Sequence, residues 1–148
     1  MKYLLTATIL FCSCSLHQQD INKQAEKEII QADLAMSSLA TKEGFYKALL
    51  QYADDSVIIP RLGNLPMIGK TDVNKNWITK PDFTTLTWKP IKAEASKTGD
   101  IGYTFGYATF VRKDTITYSN YCTIWKKQKN GDWKFVYDGG NNIPKPKY

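Results

Sequence analysis

The sequence predicts an α+β domain in which helices come first and an antiparallel sheet follows. From about Asp20 to Ala40, apolar side chains recur at intervals of three and four, the spacing of one helix face, at Ile21, Ala25, Ile29, Ala32, Met36 and Leu39. After Pro81 the apolar pattern has a period of two, which is typical of strands. Because helices and strands are segregated along the chain instead of alternating, an α+β fold is favoured over a parallel α/β fold.

Two shorter helices are predicted after the first one. One covers about residues 42–52, and the other covers Thr71–Ile78, where Thr71 is suited to cap the first turn. Between them, Ser56–Pro60 is predicted to be a short buried strand. Leu62–Gly69 is predicted to be a hairpin or a loop, because glycine and proline punctuate it.

Four strand-like runs, separated by turn signals, complete the domain: Leu86–Ser96, Ile101–Arg112, Thr117–Gln128 and Trp133–Asp138. In the first run, the apolar residues before Pro90 have one parity, and those after it, Ile91, Ala93 and Ala95, have the other. A bulge at Pro90 is therefore predicted, because it would bring both sets to the inner face of the sheet.

The face of the sheet on which Asp138 lies depends on the turn at Asn130. A two-residue turn places Asp138 opposite Thr123, on the face of Tyr121, whereas a three-residue turn places Tyr137 there instead. The sequence pattern leaves both registers open.

The first 14 residues resemble a bacterial lipoprotein signal. Met1 and Lys2 form a short, positively charged N-terminal segment, and the apolar run that follows, Tyr3–Phe11, is too short to span a bilayer. From Ser15 the sequence is polar. Of the two cysteines at this boundary, Cys14 follows a small serine, whereas Cys12 follows a bulky phenylalanine. Cys14 is therefore predicted to be the lipidated residue, with an ordinary secretory signal as the alternative.

The predicted organisation is a signal peptide at 1–13, a polar tether at 14–20, one domain at 21–142 and a tail at 143–148. The protein is accordingly expected to be exported and lipid-anchored to a bacterial membrane. The outer membrane is the expected one, with the domain facing the periplasm or the cell surface. After processing, Cys122 is the one remaining cysteine, so no internal disulfide is predicted.

The charge balance is basic, with 20 lysines and arginines against 14 acidic residues and a formal net charge of +6. The lysines are scattered through strands and tail, and no nucleic-acid recognition motif surrounds them. No nucleic-acid partner is predicted. The basic residues are interpreted as a solvated face or as a surface attracted to anionic lipid.

Several segments together resemble the SnoaL-like domains of unknown function (domain of unknown function 4440), which belong to the nuclear transport factor 2-like (NTF2-like) superfamily. The segments are YADDSVIIP (52–60), IGK (68–70), LTWKP (86–90), GDIGYTFG (99–106) and IWKKQKNGDWKFVYDGGN (124–141). The similarity runs from about Glu28 to Asn142. It implies a cone of curved antiparallel sheet, wrapped by about three helices, with an apolar pocket inside. Such folds serve enzymes, binding domains and oligomer platforms alike.

Catalysis is disfavoured by the chemical groups that are missing. His17, the one histidine, lies outside the predicted domain, so no histidine-based triad or metal site can form within it. In the ketosteroid isomerase branch of the superfamily, the first strand ends in a general-base aspartate, whereas the matching positions here are Ile59 and Pro60. If the domain is an enzyme, Asp138 and Arg61 are the candidate catalytic residues. No cofactor and no metal are predicted.

The preferred hypothesis is a pocket that binds a small hydrophobic ligand or a partner protein with little or no catalysis. Aromatic side chains with polar tips are good pocket walls. The predicted pocket residues are Arg61, Trp77, Tyr103, Tyr107, Tyr121 and Asp138, whereas Trp88, Trp125 and Trp133 are predicted to be core. Two alternatives remain: a SnoaL-like or ketosteroid-isomerase-like isomerase, cyclase or hydrolase that uses a carboxylate, and a structural homodimer.

Overall fold

A computed structural model describes the backbone of residues 8–147 and the side chains of residues 20–147. Three helices pack on a curved, unclosed sheet of six strands, so the predicted α+β class is confirmed. The elements are α1 (Thr8–Glu43), α2 (Phe45–Tyr52), β1 (Ala53–Arg61), β2 (Asn64–Ile68), α3 (Lys70–Trp77), β3 (Leu86–Ala95), β4 (Ile101–Arg112), β5 (Thr115–Lys127) and β6 (Trp133–Ile143).

The predicted export signal falls largely outside this description. Residues 1–7 lie outside the described residues, and the side chains of Cys12, Cys14 and His17 lie outside the described side chains. Within the part of the chain that the structure describes, no helix combines the length and the apolar character needed to cross a membrane.

The strand order in the sheet is β2-β1-β6-β5-β4-β3. Neighbouring strands are antiparallel except β1 and β6, which run parallel, so the sheet is mixed rather than wholly antiparallel. Parallel neighbours require a long connection, and the whole segment from β2 to β5 lies between these two strands in sequence. The hairpin alternative for residues 62–69 is the observed one, because β2 pairs with β1.

Helix α1 packs across β3 and β4 through a buried stripe, whose members are Ala25, Ile29, Asp33, Met36, Ser37 and Ala40. The small residues of β4 allow this approach. A Cβ atom at Gly102 would lie 2.9 Å from Cδ1 of Ile29, closer than side-chain carbons pack. The inner face of β4 therefore accommodates the helix because it carries almost no side chain at this position.

The predicted bulge in β3 is confirmed. Pro90 pairs with Gly106 and Lys92 with Phe105, so one extra residue, Ile91, lies between two ladder positions. Leu86 and Trp88 before the bulge, and Ala93 and Ala95 after it, all pack with the core. Ile91 itself is 56% exposed, so its predicted inner position is wrong, because the bulged residue is the one pushed out of phase.

Helix α3 begins one residue earlier than predicted. Its N-cap is Gly69, with φ of 84° and no side-chain cap, so the predicted capping by Thr71 is wrong. Thr71 lies inside the first turn. Asp72 in the same turn instead accepts a hydrogen bond from the backbone N–H of Ile68 at 3.2 Å.

The centre of the core is aromatic. Trp125 and Phe135 are fully buried, and their rings meet at 6.1 Å nearly perpendicular to each other. Trp88 and Trp133 are also buried, so all three tryptophans predicted to be core are buried, although Trp88 in addition lines a cavity.

Candidate functional site

A cavity of about 310 Å³ lies between the helices and the inner face of the sheet. This volume is at the lower end of the range of small-molecule sites, about 300–1,000 Å³. Its apolar lining consists of Met36, Phe45, Leu49, Ile59, Pro60, Leu86, Trp88 and Ala108. Its polar lining comes from β5 and β6: Ser119, Asn120, Tyr121, Asp138, Asn141 and Asn142.

The apolar wall combines residues of two helices, α1 and α2, with residues of three strands, β1, β3 and β4. Phe45 and Leu49 are four residues apart on α2 and therefore project from the same face of that helix. The Phe45 ring meets the Trp88 ring of β3 edge to face, with centroids 6.1 Å apart. Aromatic pairs in this geometry are held firmly, so this side of the cavity is a preformed surface.

The register of β5 and β6 decides which face carries Asp138. Next to the turn, Lys127 pairs with Trp133, a register that would bring Tyr137 opposite Thr123 if it continued. A bulge between the two strands shifts the pairing by one residue, so that Thr123 pairs with Asp138. Asp138 therefore lies on the inner face, among the residues that line the cavity.

Among the described residues that line the cavity, Asp138 is the one with a carboxyl group. Thr123 Oγ1 donates a hydrogen bond to its Oδ1 at 2.6 Å, and among the described residues no hydrogen bond reaches Oδ2. Burial raises the pKa of Asp138 to about 6, although the Thr123 hydrogen bond opposes this, and the nearby Asp33 raises it further. Asp138 is thus mostly ionised at neutral pH but carries a proton in mildly acidic solution.

A second carboxyl group lies behind the cavity wall. Asp33 on α1 is fully buried, and it accepts hydrogen bonds from Trp88 Nε1 at 2.6 Å and from the Tyr121 hydroxyl at 3.0 Å. Burial raises the pKa of Asp33, while hydrogen bonds from Thr104, Trp88 and Tyr121 act in the opposite direction. Asp33 therefore fixes the orientation of two aromatic side chains that line the cavity.

Tyr121 lies between these two carboxyl groups and remains a hydrogen-bond donor. Its pKa is raised, first by burial and then by the negative charges of Asp33 and Asp138. A phenol in this environment does not ionise near neutral pH, so it cannot serve there as a base.

Two of the six predicted pocket residues, Tyr121 and Asp138, line the cavity. Arg61 does not: it is exposed at the end of β1, where its Nε donates to the Leu65 carbonyl at 3.0 Å and its side chain also reaches Asn76 at 3.3 Å. Trp77 does not line the cavity either: it is buried behind the cavity-lining Phe45, with ring centroids 6.2 Å apart, and stacks on Tyr46 at 4.9 Å.

Tyr103 and Tyr107 lie on the opposite face of the sheet. In β4 the buried positions are Thr104, Gly106 and Ala108, and the tyrosines alternate with them. Successive side chains of a strand point to opposite faces, so both tyrosines project away from the helices. The face of β4 that is rich in aromatic residues is therefore the outer face, and the face of small residues is the inner one.

Among the residues of the site that the sequence did not predict, Asp33 is the acidic one. It lies four residues after Ile29 and three before Met36, so it occupies the apolar stripe of α1 itself. A carboxyl group at such a position is rarely buried without hydrogen-bond partners. This interruption of the stripe was the available signal.

Comparisons with known proteins find the fold but no sequence family. No protein-family model matches the chain, and no curated protein matches it. Solved structures do match. A ketosteroid isomerase-like protein from Erwinia carotovora atroseptica is 14% identical, with a TM-score of 0.60, over 78% of this chain and 95% of the other.

Two further structures extend the comparison. An NTF2-like protein with a cystatin-like fold from Novosphingobium aromaticivorans is 13% identical, with a TM-score of 0.58, over 95% of this chain and 92% of the other. The association domain of C. elegans CaMKII is 14% identical, with a TM-score of 0.60, over 82% of this chain and 98% of the other. At these identities the similarity defines the fold, which is NTF2-like with a cystatin-like architecture.

Proposed function

We propose that this protein binds a small, largely apolar molecule in the cavity between α1, α2 and the sheet. The observation that carries the proposal is a single carboxyl group among the described lining residues, that of Asp138, set into a wall that is otherwise aromatic, aliphatic or neutral. Ligand sites in proteins commonly have this composition, with a few polar groups that orient an otherwise apolar ligand. The buried Asp33 supports the proposal, because it holds Trp88 and Tyr121 in fixed orientations.

The test is a calorimetric titration of the full-length protein with 2-naphthylmethanol, a neutral probe of suitable size. Ala108 lines the cavity, so Ala108→Phe should fill it and abolish binding. Thr109→Phe is the matched control, because the next residue of the strand projects from the other face. Equal binding by both variants, each with a wild-type circular dichroism spectrum, would contradict the proposal.

Proton transfer at Asp138 is the second candidate function. The pKa of about 6 is the supporting observation, since a general base works best when its pKa is near the operating pH. Incubation with enolisable ketones, epoxides and polyketide-like esters tests it. Turnover that Asp138→Asn abolishes without loss of the fold would replace the binding hypothesis by a carboxylate-dependent enzyme of the SnoaL-like kind.

A homodimer is a third candidate, supported by the outer face of the sheet. Ile101 and Val111 on this face of β4 are 44% and 42% exposed, and they flank Tyr103 and Phe105. One structural neighbour is itself described as an association domain. Analytical ultracentrifugation tests this candidate: the full-length protein should sediment as a dimer and the Val111→Lys variant as a monomer if this face forms the interface.

The lipid anchor at Cys14 belongs to the same proposal. Its support is the short apolar run that ends at two cysteines, the second of which follows a small residue. In this account the domain is exported and held at a bacterial membrane, the outer one, with its cavity accessible from the periplasm or the cell surface.

A further inference from the structure

We propose that the ligand of this cavity is an amine, with a cationic ammonium group placed against Asp138 and an apolar body between Trp88 and Leu49. The inference rests on the proposed function and narrows it to one class of ligand. Three features of the cavity carry it: the sign of its charge, the free oxygen of Asp138 and the aromatic wall.

The cavity has the opposite charge to the protein. The chain as a whole has a formal net charge of +6, yet the described residues that line the cavity include no lysine, arginine or histidine. Arg61, the last residue of β1, is hydrogen-bonded to Leu65 and Asn76 instead. An anionic ligand would therefore meet a carboxylate without any compensating cation, which is unfavourable in a partly buried site.

The geometry of Asp138 leaves one oxygen for a ligand. Oδ1 is occupied by the Thr123 hydroxyl at 2.6 Å, and among the described residues no donor reaches Oδ2. An ionised carboxylate oxygen accepts its strongest hydrogen bonds from charged donors such as an ammonium group. A cation at this position would also offset the cost of burying the carboxylate.

The aromatic walls favour a cation as well. Trp88, Tyr121 and Phe45 line the same cavity as Asp138. Aromatic faces attract ammonium groups through the negative potential above the ring, and tryptophan does so most strongly. Carboxylate and aromatic rings therefore favour the same ligand group, while the aliphatic part of the wall suits an uncharged body.

The groups that face Asp138 come from two other elements. Asp33 on α1 and Tyr121 on β5 lie on the same side of the sheet as Asp138, whereas Cys122 on β5 projects from the other face and senses only its charge. Burial and the negative charge of Asp138 both raise the pKa of the Cys122 thiol, and the Tyr121 pKa is raised too. Neither supplies a positive charge, and Asp33 adds a further acidic group. None of these groups is a cation, so a positive charge beside Asp138 would have to come from the ligand.

The experiment compares three probes that share one ring system and differ in charge. The full-length protein is titrated by calorimetry at pH 7.5 with 2-naphthylmethylamine, 2-naphthylmethanol and 2-naphthoate. We expect the amine to bind about tenfold or more tightly than the alcohol, and the carboxylate to bind more weakly than either. Asp138→Asn should remove the preference for the amine over the alcohol, whereas the exposed control Asp55→Asn should leave that preference at its wild-type value.

The outcomes separate the two proposals. Equal affinities for amine and alcohol in the wild type, or tightest binding by the carboxylate, would overturn the amine inference while leaving the binding function intact. An amine preference that survives Asp138→Asn would also overturn it. If none of the three probes binds, or if Ala108→Phe leaves their binding unchanged, the proposed function itself fails.

Discussion

Asp33 and Asp138 are both acidic residues on the inner side of the sheet, but their structural roles differ. Asp33 is enclosed, and its oxygens accept hydrogen bonds from Trp88 and Tyr121. Asp138 lines the cavity, with Oδ1 held by Thr123. Asp33 therefore orients side chains of the cavity wall, whereas Asp138 is available to bind a ligand in the cavity.

Removal of the Asp33 carboxyl group should be costly. Asp33→Ala leaves the Trp88 indole and the Tyr121 hydroxyl as buried donors, each at a cost of about 1–3 kcal/mol. We expect the free energy of unfolding in urea to fall by about 3 kcal/mol, and by less for Asp33→Asn, whose carbonyl oxygen still accepts. Asp20→Ala, at an exposed position of the same helix, is the control. An Asp33→Ala variant as stable as this control would show that the network contributes nothing.

The raised pKa of Asp138 predicts a dependence of stability on pH with a definite sign. The ordinary pKa is 3.8, and the folded value is about 6, so between these values the folded state binds more protons than the unfolded state. This group's contribution to stability is present below about pH 4 and is lost as the pH rises to about 6. Asp138→Asn should therefore be more stable than the wild type above pH 6, by about 1–3 kcal/mol.

Urea denaturation at pH 4 and pH 7 measures this effect. The free energy of unfolding of Asp138→Asn minus that of the wild type should be larger at pH 7 than at pH 4. Because other titrating groups are the same in both proteins, their contributions cancel in this difference. A variant that is equally destabilised at both pH values would show that the carboxyl group is not buried as described.

Among the elements, α2 depends on a residue far away in sequence. Asp82 accepts hydrogen bonds from the backbone N–H groups of Tyr46 at 2.9 Å and Lys47 at 3.1 Å, which caps the helix from outside. Gly44, at the N-cap, has φ of 114° and lies so close to the Asp82 carboxylate that a Cβ atom would clash with it. The helix that supplies Phe45 and Leu49 to the cavity is therefore fixed by this contact.

Asp82→Ala should lower the free energy of unfolding by about 1–2 kcal/mol, because it leaves the first turn of α2 without its cap. It should also weaken binding of the naphthyl probes, since α2 forms one wall of the cavity. Asp55→Ala on β1, where the side chain is exposed, should do neither. Equal stability of the two variants would refute the role of Asp82 as a cap.

Periodicity predicted the elements well, because it reports which face of each one is buried. The α1 stripe, the bulge at Pro90 and the strand runs all followed from it. The contacts that define the site did not, because they join distant residues: the Asp82 cap of α2, and the bulge that brings Asp138 opposite Thr123. Such pairings depend on tertiary packing, which a local pattern does not contain.

For the whole molecule, the α+β class and the NTF2-like fold could be predicted from the sequence. The parallel pairing of β1 with β6 could not, since four strands and a helix lie between these two strands in the sequence. Two of the six predicted pocket residues line the cavity, because an aromatic strand face indicates burial or a ligand without showing which side of the sheet is inside. The outer face of β4 illustrates this with Tyr103 and Tyr107.

The predicted anchor is also a property of the whole molecule. Cys14→Ser should move the protein from the membrane fraction to the soluble fraction, while the matched variant Cys12→Ser should leave it membrane-bound. Mass spectrometry of the native N-terminus should find a cysteine with two or three acyl chains, because one chain alone anchors only marginally. Release by the Cys12 substitution alone, or an unmodified N-terminus beyond residue 14, would contradict the assignment.

The central claim is that the cavity between α1, α2 and the sheet is a ligand site, and a crystal structure of the full-length protein with bound 2-naphthylmethylamine tests it most directly. We expect density for the ring system between Trp88 and Leu49, with the nitrogen within hydrogen-bonding distance of Asp138 Oδ2. An empty cavity at saturating probe, or a probe bound on the outer face of the sheet, would contradict the account.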